Sequence, residues 1–144
     1  MIGGEETPAI YTAGSGVFTA RILDNDTRID FRMAYENLSG PPLFAHVHFG
    51  QRGVAGAVSF FLCGGSTKPL CPASNSGVVT GTVVAADVIG PAAQGIAPGN
   101  LAAIIAEIRA GLAYANMHTV KHMTGEIRGQ IQAREGARGH DQDD

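Results

Sequence analysis

Short stretches in which apolar and polar residues alternate, each cut off within a few residues by glycine, proline or an Asp/Asn-rich turn, run through most of this 144-residue chain. A period of two puts alternate side chains on opposite faces of an extended strand, so such a chain folds as sheets with one face turned inward. Residues 16–21 and 27–36 alternate around Asp24-Asn25-Asp26, a run suited to a tight hairpin turn. No glycine or glutamate follows at EF-hand spacing, so this cluster reads as a turn rather than a calcium loop. Residues 43–49, 57–62, 77–85, 113–119 and 125–132 read as further strands. Between them, residues 101–110 follow Asn100, repeat their apolar positions at helical spacing and stop at Gly111, which predicts one helix. The expected fold is all-β: an antiparallel Greek-key sandwich or barrel with one short crossover helix. A single domain spans residues 1–133, and 134–144 reads as a polar, disordered tail.

Composition narrows the function classes. Twenty Gly, seven Pro, no Trp and 16% charged residues, against an average of about 25%, fit many short strands joined by tight turns and argue against a helical bundle. A formal charge of −3 with no Lys/Arg cluster removes the electrostatic basis for binding nucleic acid or an anionic membrane surface. No apolar run approaches the ~18 residues of a membrane span, so no membrane insertion is expected. Residues 1–7 carry neither a basic nor an apolar segment and do not read as a signal peptide. Cys63 and Cys71 are joined by a loop holding Gly64, Gly65 and Pro69 that can turn back on itself. A disulfide is easy there and would place the protein, in mature form, in the periplasm or outside the cell; the alternative is two free thiols in a cytosolic loop.

The chemistry lies in the histidines. Four of the five fall in two pairs, His46-Val47-His48 and His118-Thr-Val-Lys-His122, and the fifth, His140, sits in the tail. Residues two apart on a strand share a face, so His46 and His48 point the same way. Two imidazoles buried side by side without partners would cost several kcal/mol, whereas one metal ion satisfies both. His118 ends a second strand, and His122 follows in a loop able to fold back toward it. A set of His46, His48, His118 and His122 suits copper, the stronger binder, with zinc as the alternative. Met123 is a further soft donor, while Met117 alternates away from His118. Glu126, Arg128 and Gln130 share one strand face in GEIRGQ. Glu126 is placed to accept an imidazole N–H, and Arg128 to attract a small anion.

Three strings, AHVHFGQRGVAGAVSFFLC (45–63), AYANMHTVKHMTGEIRGQI (113–131) and GGEETPAIYTAGSGVFTA (3–20), resemble the CHRD domain family, including its free-standing, usually secreted bacterial members. The paired signatures H-x-H-x-G and H-T-x5-G-E-I-R-G-Q carry the resemblance, which implies an all-β sandwich and little about activity. An architectural similarity to copper superoxide dismutases rests on the H-x-H strand, the later histidines, the small cysteine loop and an arginine near the site, and is analogy only. The expected function is a copper protein of the cell envelope. Its reaction is one-electron chemistry on a small anion such as superoxide, with Arg128 drawing in the anion and His122 as fourth ligand or proton donor. The alternatives are an inert copper or zinc carrier and an extracellular protein-binding module in which the histidines are incidental. A homodimer is allowed by the sequence.

Overall fold

A computed structural model describes residues 1–134, so most of the expected tail, with His140, lies outside the described residues. The described residues form seven strands, β1 (Ser15–Leu23), β2 (Arg28–Glu36), β3 (Pro42–Phe49), β4 (Val58–Cys63), β5 (Gly77–Val83), β6 (Ala113–Thr119) and β7 (Ile127–Gln130), with one α-helix, α1 (Leu101–Arg109), between β5 and β6. They form two antiparallel sheets, β1-β2-β5 and β4-β3-β6-β7. The all-β sandwich with one short helix is therefore the fold. The helix carries the chain from the last strand of the first sheet to a central strand of the second.

The alternation in the sequence becomes the core. In β2 every second residue (Ile29, Phe31, Met33, Tyr35) is buried against Val79 and Val83 of β5 and against Ala45, Val47, Ala115 and Met117 of the facing sheet. The expected turn is real: Asp24, Asn25 and Asp26 all take positive φ (55°, 55°, 64°), a conformation Asn and Asp tolerate better than other non-glycine residues. Arg109 at the end of α1 grips Asp26 with two bonds of 2.6 and 2.9 Å, fixing the turn to the helix. Asn100 Oδ1 caps α1 by accepting from the Ala103 amide, and Gly111 (φ 78°) ends it, as the sequence predicts. β1 is longer than the predicted 16–21, because pairing with β2 continues to Leu23 and Arg28. β7 is shorter than the predicted 125–132, because residues 120–126 are committed to a turn.

Cys63 and Cys71 form a disulfide with a Cα–Cα distance of 5.0 Å, tying the end of β4 to the loop that follows. Closing so small a ring stabilises the fold by about 2–3 kcal/mol on the loop-entropy model. No described helix is long and apolar enough to cross a membrane.

The four-stranded sheet is covered on both faces. β6 is buried at every position, although only Ala113, Ala115 and Met117 alternate toward the sandwich core. Its other face carries Tyr114, Asn116 and His118, beside Phe44, His46 and His48 of β3. Three segments bear on this second layer: the N-terminal stretch around Glu6 and Thr7, the 50–57 loop and the 120–125 turn.

Candidate metal centre

The β3–β6 register sets His46 opposite Asn116, His48 opposite Tyr114 and Phe44 opposite His118. Since β3 and β6 are adjacent and antiparallel, residues on one face at direct and diagonal positions lie within side-chain reach. His46, His48 and His118 therefore converge: their ligand atoms all lie within 4.8 Å of one another. Ring centroids are 4.9 Å apart for His46 and His118, 5.3 Å for His46 and His48, and 6.4 Å for His48 and His118. The β3–β4 pairing shifts register on either side of the His46-Val47 pair, an irregularity of the kind that re-aims side chains near sites. All three rings are buried, 5–8% exposed. Phe44 packs on His118 and His46, Phe61 lies 4.4 Å from His46, and Tyr114 stacks flat on His48 at 4.7 Å.

Hydrogen bonds fix which nitrogens are free. His118 Nδ1 lies 2.8 Å from the Met123 carbonyl and His48 Nδ1 lies 2.9 Å from the Gly56 carbonyl. A carbonyl only accepts, so both rings carry their proton on Nδ1 and keep the Nε2 lone pair. Among the described residues, His118 Nε2 is buried with no hydrogen-bond partner, and so is His46 Nδ1. Unpartnered buried nitrogens are costly, and a metal ion is the ligand that satisfies several at once. His48 Nε2 lies 2.8 Å from Asn116 Oδ1. A neutral ring protonated on Nδ1 accepts at Nε2, so the two similarly shaped ends of the amide are ordered with the NH2 toward the imidazole.

Electrostatics keep the rings in the form a metal needs. Burial, reinforced by His118 and His48, pushes His46 down to about 3, and burial lowers His48 and His118 as well. Neutral imidazoles are metal ligands; imidazolium is not. Burial raises the Glu6 carboxyl to about 7, although the charge of Arg128 pulls the other way. These shifts give opposite pH effects on stability. The unfolded chain binds more protons at His46 below its ordinary value of 6.5, so stability falls as pH drops from 6.5 toward 3. Glu6 stabilises most below 4.5, and that contribution is lost as pH rises through about 7. We predict that the metal-free protein loses stability from pH 6.5 to 4, the His46 share reaching about 3 kcal/mol. Replacing Glu6 by Gln should steepen the loss between pH 7 and 4.5. Urea midpoints across this range check both, and an unchanged profile in the Gln variant contradicts the Glu6 assignment.

Other residues singled out in the sequence are placed differently. His122 is half-buried in the 120–125 turn and is held through its backbone, its N–H donating to Thr119 Oγ1 and its carbonyl accepting from Thr119 and Gly125. Among the described residues, the convergent group holds His46, His48 and His118 and not His122. Met117 is in the core as expected, while Met123 is exposed and reaches the site through its carbonyl. Among the described residues, Glu126 bonds no imidazole. Its carboxylate accepts from Thr12 Oγ1, Ser39 N, Ser39 Oγ and Thr119 Oγ1 at 2.6–2.9 Å, and these bonds outweigh its burial and hold it below the usual carboxylate range. The tautomer-fixing task expected of Glu126 is done by the carbonyls of Gly56 and Met123.

Arg128 faces away from solvent, 2% exposed. Its Nη2 donates to the carbonyls of Gln51 and Val54, Nη1 donates to Thr7 Oγ1, and the guanidinium lies 3.4 Å above the Tyr114 ring. Tyr114 is thus sandwiched between Arg128 and His48. The Tyr114 hydroxyl accepts from the Gly56 amide and donates to the Gly56 carbonyl. No side chain fits at Gly56, where a Cβ would lie 1.7 Å from the Phe49 carbonyl oxygen. Gly125, at φ 126°, passes directly against the Glu6 carboxyl.

Asn116, Tyr114, Gly56 and Glu6 complete the centre and were not anticipated. For the first two the signal exists, since they precede His118 by two and four residues and share its face.

No curated protein and no solved structure matches the chain. The family model of the CHRD domain matches residues 1–131, which takes in all seven strands, the three convergent histidines and the segments that cover them. The chain belongs to the CHRD domain family.

Proposed function

We propose that His46, His48 and His118 hold a copper ion, and that the protein works in an oxidising compartment, the periplasm or the cell exterior. The observation that carries this reading is the pair of buried, unpartnered nitrogens on His118 and His46, in a group of three imidazoles within 4.8 Å. Nitrogens bound at ~2.1 Å on a tetrahedral ion lie ~3.4 Å apart, so the triad needs to close by at most about 1.4 Å from its 4.8 Å limit. An all-imidazole donor set favours copper over zinc by the Irving–Williams order, and the disulfide supports an oxidising location.

Copper, when bound, supplies one-electron cycling, and three protein ligands leave a coordination position for a small molecule. The reaction we favour is superoxide dismutation. The chain's own residues hold the imidazoles neutral, wall the site with Phe44, Phe61 and Tyr114, and place the positive charge of Arg128 behind Tyr114. His122, next to the site in sequence, is the proton donor of this reading.

Reconstitution separates the readings. The copper-loaded protein should show a d–d band and remove superoxide faster than the same copper held by the His48→Ala variant. Copper held tightly without any rate enhancement points instead to an inert carrier. Failure to bind copper or zinc leaves the reading of a protein-binding module.

A further inference from the structure

We propose that Asn116 is a latch on the metal centre: its amide occupies the coordination position of His48, so an ion enters only when that side chain turns away. The inference rests on the reading of the triad as a metal site and concerns what governs loading. His48 has one nitrogen to offer. Its Nδ1–H is spent on the Gly56 carbonyl at 2.9 Å, and that carbonyl is itself fixed by the Tyr114 hydroxyl. The stacked Tyr114 ring, 5° from coplanar, keeps the imidazole from turning over to present Nδ1 instead.

An ion sits ~2.0–2.1 Å from an imidazole nitrogen, along its lone pair. The Asn116 amide stands 2.8 Å from Nε2 in that same direction. The two cannot both be there. His118 differs, because its proton is held by the Met123 carbonyl and its buried Nε2 has no partner. One imidazole is ready to bind while the other is covered.

The amide has somewhere to go. Glu6, close enough to Asn116 to feel its amide, carries a buried Oε2 with no hydrogen-bond partner among the described residues. Turning from His48 to Glu6 exchanges one buried contact for another and uncovers the Nε2 lone pair. Asn116 is thus a positioning residue that sets affinity and loading rate.

The test uses the full chain and Zn2+ as a diamagnetic probe. A hydrogen bond of this kind contributes on the order of tenfold in an equilibrium, so Asn116→Ala should bind Zn2+ about tenfold more tightly than wild type and load faster. Asn116→Ser, too short to reach Nε2, should do the same and serves if the Ala variant does not fold. In wild type, the Asn116 side-chain NH2 resonances should shift on Zn2+ addition in step with His48 Nε2. Equal or weaker binding by both folded variants, or NH2 resonances that stay put while wild type loads, overturns the latch and leaves the metal centre standing. If neither wild type nor the variants take up Zn2+, the metal centre itself is wrong and the latch falls with it; uptake by the variants alone supports both.

Discussion

Replacing His118 by Ala should cut affinity for copper and zinc by about a hundred- to a thousandfold. Structural zinc sites with four ligands bind with an apparent 10–16 kcal/mol, so one ligand carries about 2.5–4 kcal/mol. His118 is the ligand that should show this most cleanly, because its Nε2 is buried and unpartnered and losing it frees no compensating bond. His48→Ala should cost slightly less, since it also releases Asn116. His122→Ala should change affinity by less than about threefold, which separates the three-imidazole centre from the four-imidazole set that the sequence suggested. Competitive titration against a chelator of known affinity gives all three values. Equal losses in His118→Ala and His122→Ala contradict the geometry.

The second large effect is on stability. Arg128→Met should destabilise the metal-free fold by about 3–5 kcal/mol, since hydrogen bonds from a charged donor contribute about 1.5–3 kcal/mol each and two to loop carbonyls are lost. Three things fail together: the Gln51 and Val54 carbonyls lose their donor, Tyr114 loses the cation on its outer face, and Glu6 loses a compensating charge. The 50–57 loop then has less to hold it over the site. Arg128→Lys should restore well under half of the loss, because an ammonium cannot fork between two carbonyls while lying flat on a ring. Urea unfolding of the three proteins measures this. A loss below about 1 kcal/mol in the Met variant would show that the guanidinium contributes little beyond its packing.

The fold was largely legible because its signals are local. Asp24-Asn25-Asp26 prefers the left-handed conformations of a hairpin turn, Asn100 and Gly111 bracket the helix, and alternation in β2 fixes its buried face. The first half of the site was legible for the same reason, since two residues apart on a strand means one face. His118 joins His46 and His48 only because β6 lies beside β3 in this register, and no local pattern encodes that pairing. Asn116 and Tyr114 carried a readable signal, yet a single amide or phenol in a strand does not announce itself as His-x-His does.

The partners of Arg128 and Glu126 were hidden for a different reason. A charged residue in a strand reads as solvent-facing, because burial is costly unless partners are supplied. Here the partners come from far along the chain: loop carbonyls at residues 51 and 54 for Arg128, and Thr12 and Ser39 for Glu126. Glu6 and Gly56 matter only through what the fold brings against them. Their roles emerge once the second face of the four-stranded sheet is known to be covered.

The central claim is that one ion is held by imidazoles from two adjacent strands. X-ray absorption on the chain loaded with a single equivalent of copper tests it most directly, since ordered imidazole rings give a multiple-scattering pattern that counts them. The account predicts full occupancy by that equivalent, with three imidazoles at ~2.0 Å, and a pattern reduced to two rings in His118→Ala. Copper bound by one imidazole or none, or a ring count unchanged by that substitution, would contradict it.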